Sequence, residues 1–289
     1  MKERQQKPLI SLIVATLGRE KELNTFLESL TKQTFDLSAV QVIVVDQNRE
    51  IDLKPILGRF QNQLHIVHIA SSRTGLSFNR NIGLGVAEGK VVAFPDDDCA
   101  YYPDTLEKVW AAFQRNPTVN LVLGRVVDRQ TGKSMLRNWP TKAKKITKLN
   151  FLTHYSSITI FARQSPLFDE RIGVGTYFGS YEDADFVYRV LLRDGAALYD
   201  PSVEVWHEDQ NIHVFDENKL QQYGLGFGAL VRKHLSPVML YWFLGVLVYH
   251  AFGLAKSLLR ADRREFRKRW LSIVSRIRGF VLFPRVPTR

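Results

Sequence analysis

Cysteine is nearly missing from this chain. Cys99 is the only one in 289 residues, so no intrachain disulfide can form, and such usage fits a reducing compartment. Its place beside an acidic cluster invites the idea of a reactive thiol, but a small buried filler is the commoner role. Internal repeats and low-complexity tracts are also lacking, which sets repeat architectures aside. Residues 1–8 are charged and polar, and the apolar run after them, Leu9 to Val14, is too short for the core of a signal peptide, so none is expected. Two phosphate-binding signatures are absent as well. The turn Ala15-Thr16-Leu17-Gly18-Arg19-Glu20 holds one glycine where a dinucleotide fingerprint needs three, and no Walker sequence occurs. An aspartyl-phosphatase motif would place Thr or Val where Ala100 stands.

The net charge is +11, unevenly placed. Residues 256–289 carry +9 of it, which leaves +2 for the 255 residues before them. A nearly neutral body argues against a nucleic-acid partner, and a basic tail points to an anionic surface.

Strand-like and helix-like stretches alternate through the first 115 residues. Leu9–Leu17, Val40–Val45 and His65–Ala70 read as buried strands, and Val91–Phe94 as a fourth. Glu20–Gln33 carries Leu23, Phe26, Leu27 and Leu30 at helical spacing. Gly75–Glu88 reads as a helix broken up by glycines, and about Thr105 to Arg115 as another. This alternation predicts an α/β domain with a mixed, mainly parallel sheet covered by helices on both faces. Ligands of such sheets sit beyond the carboxyl ends of the strands. Three of the four strands end near a suitable polar group: Thr16, Asp46 and the triplet Asp96-Asp97-Asp98.

That triplet is the most informative stretch. Three adjacent carboxylates repel one another unless positive charge sits among them. A divalent cation bridging to substrate phosphates would supply it. On an extended backbone Asp96 and Asp98 share one side and Asp97 takes the other. The competing reading is a polar turn before a helix capped by Asp104, with Glu107 as its reciprocal partner.

Leu121–Val127 reads as a strand, Lys133–Lys148 as a basic loop, and Ser156–Ala162 as a further strand. The glycine-rich segment from Gly173 to Gly179 reads as a loop able to close over substrate, or as a plain connector. Ser180 and Asp183 have the spacing of a capping box, so Asp183 is either a helix cap or a general base at a helix N-terminus. His207 ends a short alternating strand that includes Trp206; structural and metal-ligating roles both stay open for it.

Taken in order, Thr16, Asp46, Gly75…Arg80-Asn81…Gly83, the Asp triplet, Glu182-Asp183 and Trp206-His207-Glu208 resemble glycosyltransferase family 2, over roughly residues 8–235. The resemblance implies a GT-A (Rossmann-like) fold and an inverting transfer from a nucleoside-diphosphate sugar to a hydroxyl acceptor. It implies that Thr16 and Asp46 contact base and ribose, with Arg80 near the diphosphate or ribose. Asp97 would lie toward the ribose. Asp98 would hold a divalent metal, Mg or Mn, with His207 as a second metal or diphosphate contact. Asp183 would be the catalytic base, with Glu182 and Trp206 serving the acceptor or supporting the site. Pro95 and Cys99 depart from residues frequent in the family, without touching the implied metal ligand. Two alternatives stand beside this reading: nucleotidyl transfer onto a sugar phosphate, and a membrane-recruited scaffold without chemistry.

The catalytic domain is expected over residues 1–235, with its nucleotide-binding half at about 8–115 and its acceptor half at about 116–235. A helical, membrane-associating segment over 236–289 would follow. Asp216–Leu235 looks helical but glycine-interrupted. Residues 238–255 hold no Asp, Glu, Lys or Arg, and as a helix would reach about 27 Å, the limit for crossing a bilayer core. From Leu259 on, Phe266, Trp270, Ile273, Val274 and Ile277 recur among arginines, the profile of an interfacial helix on anionic lipid. The expected location is the cytoplasmic face of the membrane, peripheral or monotopic, with a lipid-linked or polysaccharide-precursor acceptor. A bilayer span, packing on the catalytic domain and a homodimer through these helices are the other arrangements this segment allows.

Overall fold

The computed structural model describes residues 7–163, 165–193, 195–207 and 216–284; Glu208 of the Trp-His-Glu run lies outside them. By their contacts the residues form two compact units, Met1–Phe168 with Phe186–Gln210, and Asp169–Asp185 with Asn211–Arg289.

The first unit is built on one sheet. Its strands are β1 (Ile10–Thr16), β2 (Val40–Asp46), β3 (His65–Ala70), β4 (Val91–Ala93), β5 (Cys99–Tyr101), β6 (Val119–Asp128), β7 (Lys133–Ser134), β8 (Lys144–Ile146), β9 (Ile160–Ala162) and β10 (Ala196–His207). The spatial order is β3-β2-β1-β4-β9-β6-β10-β5, with β7 on β6 and β8 on β10. β3, β2, β1 and β4 run parallel, whereas β9 is antiparallel to both β4 and β6. β1 is thus flanked by β2, which follows it, and by β4, reached after the chain has turned back. Such a switch in strand order opens a crevice at the carboxyl ends, where Thr16 and the Asp triplet lie.

Every residue of β2 is buried, as expected of a strand covered on both faces. Helix α1 (Glu20–Thr31) inserts Leu23, Phe26, Leu27 and Leu30 into the core. The short α2 (Lys54–Gly58) leads to β3. Helix α3 (Leu76–Val86) is unbroken despite its glycines. A Cβ at Gly83 would come 2.3 Å from Ile13 Cγ2, so glycine here lets α3 lie close on β1. Helix α4 (Thr105–Arg115) follows β5.

Several local expectations need correction. β3 is the sheet's edge and is half exposed rather than buried; its two histidines mark the open side. Asp104 makes no capping hydrogen bond, because its carboxylate is taken by Arg129 Nη2 at 2.6 Å and Lys108 Nζ at 2.8 Å. Ser157–Thr159 is a 3-10 turn, which leaves only Ile160–Ala162 as strand. The short strand expected to end at His207 is the last part of one long strand, β10, which runs through Asp200-Pro201 and whose register on β6 shifts between Tyr199 and Glu204. A bulge is where a sheet tolerates proline.

The second unit holds α6 (Glu217–Lys233), α7 (Pro237–Leu259) and α8 (Arg263–Leu282), while α5 (Glu182–Leu192) begins in it and continues into the first unit. Helix α6 is continuous, and its glycines serve contact with α8. A Cβ at Gly228 would sit 2.1 Å from the Arg276 carbonyl oxygen, and one at Gly224 would sit 1.9 Å from Ser275 Oγ. Ser236 caps α7 ahead of Pro237, and Asp262 caps α8. Lys233 Nζ binds Asp185 at 2.7 Å and Asp169 at 2.8 Å, which fastens both ends of the 169–185 segment to α6.

Candidate active site at the carboxyl ends of the sheet

Loops after β1 and β2 are stitched together before any side chain is presented. Gln47 N donates to the Thr16 carbonyl at 3.0 Å, and Gly18 N to Asn48 Oδ1 at 2.7 Å. Gln47 Oε1 accepts from Gly75 N at 3.0 Å and Asn79 Nδ2 at 2.8 Å, which brings in the start of α3. Asp46, buried at the end of β2, is held by its own turn: Oδ1 accepts from Asn48 N and Nδ2, and Oδ2 meets His68 Nε2 at 3.0 Å. Thr16 is fully buried at the end of β1, and its hydroxyl makes no hydrogen bond among the described residues. Unpaired buried hydroxyls are rare in folded proteins and need a reason.

The Asp triplet follows Phe94, whose ring meets Phe168 at 4.9 Å and Phe186 at 5.2 Å. Arg80 lies against Phe94 and Phe168 and donates from Nη2 to Asp96 Oδ1 at 3.0 Å. The resemblance puts Arg80 against the donor; here it is only 1% exposed and pairs with the first carboxylate of the triplet. After the triplet comes β5, three residues that pair antiparallel with the end of β10, His207 opposite Cys99. That short ladder brings His207 Nε2 to 3.3 Å from Asp98 Oδ1. Ligand atoms of Asp96, Asp98 and His207 lie within 4.8 Å of one another.

Two carboxylates and an imidazole form a donor set suited to Mn or to Mg carrying further oxygen ligands. The residues present fit a divalent cation. One further group was not foreseen. Arg19 Nη1 donates to Asp97 Oδ1 at 3.0 Å and also to Asp98 Oδ2.

Electrostatics separate neighbours in the triplet. Burial pushes the Asp97 carboxyl above its ordinary range, opposed by Arg19 and by the nearby Thr16 hydroxyl, although that hydroxyl lacks good hydrogen-bond geometry. Burial acts the same way on Asp98, but His207 and Arg19 outweigh it and hold Asp98 below the usual range. Cys99 is buried beside Asp96 and Asp98, which pushes its thiol well up. It is packing rather than a nucleophile.

The remaining expected residues fall in two places. Trp206, alternating with His207, lines a cleft of about 430 Å³ with Tyr101, Tyr102, Asp128 and Gln130. Glu182 and Asp183 open α5 in the second unit, Glu182 buried and Asp183 partly exposed.

A crevice at a strand-order switch, lined by a paired-carboxylate and imidazole cluster able to hold a cation, defines an α/β protein whose candidate site lies at the carboxyl ends of its sheet. The chain belongs to glycosyl transferase family 2, whose profile matches residues 11–172. It is 30% identical over 188 residues to the poly(ribitol-phosphate) beta-N-acetylglucosaminyltransferase TarS of Staphylococcus aureus, covering 63% of this chain and 32% of that protein. It is 25% identical over 187 residues to an uncharacterized glycosyltransferase of Haemophilus influenzae, covering 63% of this chain and 62% of that protein. The chain thus matches less than two thirds of the length of these relatives. In structure it resembles S. aureus TarS 1–349 in complex with UDP-GlcNAc, with a TM-score of 0.60 at 18% identity over 93% of this chain and 92% of that one. It also resembles the Pyrobaculum calidifontis mannosyltransferase PcManGT in complex with GDP-Man and Mn2+, with a TM-score of 0.61 at 16% identity over 95% and 87%. The fold is therefore GT-A, as expected.

Proposed function

We propose that this protein transfers a sugar from a nucleoside-diphosphate sugar to an acceptor hydroxyl with inversion at the anomeric carbon. The observation that carries this reading is the convergence of Asp96, Asp98 and His207 beyond the carboxyl ends of the strands. These residues would hold a divalent cation, with Asp98 as its principal ligand. When bound there, the cation offsets the charge that develops on the departing diphosphate. Thr16 and Asp46 bind the nucleoside and Asp97 faces the ribose. Arg80 acts through Asp96, which it fixes in place. Asp183 takes the proton of the acceptor hydroxyl while its oxygen bonds to the anomeric carbon and the sugar–phosphate bond breaks. Glu182 and Trp206 serve the acceptor or support the site. The donors bound by the two structural relatives favour a nucleoside-diphosphate sugar. A nucleotidyltransferase would want a glycine-rich basic loop after β1; the loop present has Gly18 alone.

The test is a thermal-shift panel of nucleoside diphosphates and their sugars, with and without Mn2+. Ligands that bind only the native state raise its stability with concentration. A metal-dependent shift with one base, lost in Asp98→Ala, is the expected result. No shift with any member would overturn the reading.

The acceptor is proposed to be a lipid-linked or polysaccharide precursor met at the cytoplasmic face of a membrane. Helix α7 supports this: 23 residues, long and apolar enough to cross a bilayer, with only 11% of its most apolar window buried. Tyr241, Leu244, Val248, Phe252 and Leu259 are exposed along it, as are Trp270, Val274, Ile277 and Val281 at helical spacing on α8. Arg263, Arg264, Arg267, Lys268 and Arg278 are also exposed on α8. An apolar stripe between exposed basic residues suits shallow insertion among anionic headgroups better than a span. Flotation with vesicles containing phosphatidylglycerol, and none with neutral vesicles, is the expected outcome; a protein that stays soluble with both refutes the membrane assignment.

A further inference from the structure

Each carboxylate of the triplet already has a cationic partner from the chain: Arg80 for Asp96, Arg19 for Asp97, and Arg19 with His207 for Asp98. These partners differ in how firmly they are held. The Arg80 side chain is 1% exposed, whereas that of Arg19 is 44% exposed and springs from the residue just before α1. A cation taken up by Asp96, Asp98 and His207 must face the Asp98 oxygens, and Arg19 stands on one of them. Guanidinium and metal cannot both occupy that place at contact distance, since like charges repel strongly where water is thinned.

Resting on the cation-site reading above, we infer that Arg19 and the divalent cation compete for Asp98, and that the displaced guanidinium pairs with the donor's diphosphate. Arg19 then has two tasks. It holds the acids in register before the cation arrives and afterwards turns its fork to an anion that has come in with the metal. Guanidinium suits both partners, because its planar donors match carboxylate and phosphate alike. Metal alone must evict Arg19 into water, whereas metal with a nucleoside diphosphate gives it a new partner. Cation and diphosphate therefore bind with positive coupling, and each raises the affinity of the other by the same factor.

The experiment measures uptake of Mn2+, by the loss of the electron paramagnetic resonance signal of the hydrated ion, with and without UDP or GDP. It compares the parent chain with Arg19→Ala, Arg19→Gln and Asp98→Ala. Two partly exposed ion pairs are worth little each, so removing them is expected to tighten binding of Mn2+ alone by about three- to tenfold. The factor by which the diphosphate tightens Mn2+ binding is expected to fall in both Arg19 variants, a change that a merely structural role would not produce. Arg19→Gln keeps length and hydrogen bonding, and matching melting curves show that the variants are folded. Mn2+ binding in Arg19→Ala equal to or weaker than in the parent, while still lost in Asp98→Ala, overturns the competition and keeps the metal site. No Mn2+ uptake by the parent with either diphosphate removes the metal site itself, and the competition with it.

Discussion

Replacing Lys233 with methionine should loosen the second unit while sparing the first. Lys233 Nζ reaches Asp185 at 2.7 Å and Asp169 at 2.8 Å, with side-chain exposures of 17% for the lysine, 0% for Asp185 and 12% for Asp169. Removing one partner of a buried pair costs about 3–5 kcal/mol, because a charge is stranded. Both aspartates keep other partners: His234 Nε2 lies 2.7 Å from Asp185, and Arg171 Nη2 lies 2.6 Å from Asp169. Methionine also keeps the apolar stem, so the loss should be about 2 kcal/mol. Two compact units make a single melting temperature a poor reporter. Hydrogen exchange read peptide by peptide is the better assay. Peptides over 169–185 and α6 should lose protection, with β1 and β2 unchanged. The pH dependence follows from Asp169, whose carboxyl is held well below its ordinary range: burial alone would raise it, but Arg171 and Lys233 outweigh that. A depressed folded pKa gives stability present above the unfolded value of about 3.9 and lost as pH falls through the folded one. The gap between parent and variant should therefore be full at pH 6 and narrow below about pH 4. Equal exchange in the two proteins at pH 6, or protection lost evenly over both units, would refute this account of the network.

Three further outcomes are expected. Thr16→Val removes a buried hydroxyl that makes no hydrogen bond among the described residues and only approaches Asp97, so stability should stay within about 1 kcal/mol; the thermal shift given by the nucleoside diphosphate should shrink, and an unchanged shift would free Thr16 of any donor role. Gly228→Ala puts a methyl 2.1 Å from the Arg276 carbonyl oxygen and 2.5 Å from Phe280 N, which should cost about 1–3 kcal/mol by forcing α6 and α8 apart, measured by urea unfolding of the variant against the parent. Cys99, buried with its thiol pushed well up, should resist iodoacetamide at pH 8 until urea is added, as read by mass spectrometry.

Much of the first unit is legible in the sequence because its central strands are covered on both faces. Val40–Asp46 is apolar up to its last residue but for Gln41, and that near-continuity marks a buried strand. His65–Ala70 has similar composition yet lies at the edge, since a strand's neighbours are decided by the order of the whole sheet. β5 cannot be read at all. Three residues show no periodicity, and their partners are Val205, Trp206 and His207, about a hundred positions later. The candidate site divides the same way. That three adjacent carboxylates demand positive charge follows from the sequence. That part of it comes from Arg19, 78 positions before Asp97, does not, because a lone arginine in a turn has no distinguishing pattern. The glycines of α6 misled for a related reason. Local propensity marks them as interruptions, whereas their purpose is set by a helix about fifty residues further on.

The two arginines show how burial assigns different tasks to the same side chain. Arg80 pairs with Asp96 from a buried position beside two phenylalanine rings, while Asp96 itself is part exposed. Leaving that place would strand a buried guanidinium, so the pair is held in place and acts as a strut. Arg19 makes two ion pairs from a partly exposed position, where water can take over the guanidinium at small cost and an incoming cation can take its place on the carboxylates. Its contacts are suited to exchange. If the acid cluster takes up a cation as proposed, it needs both kinds of partner. One keeps the carboxylates in position, and the other keeps them compensated until the metal and the diphosphate come in. On this argument Arg80→Lys should damage the fold of the acid loop, whereas Arg19→Lys should leave the fold intact and change only how cation and diphosphate bind together. A melting temperature lowered by Arg19→Lys as much as by Arg80→Lys would contradict the division.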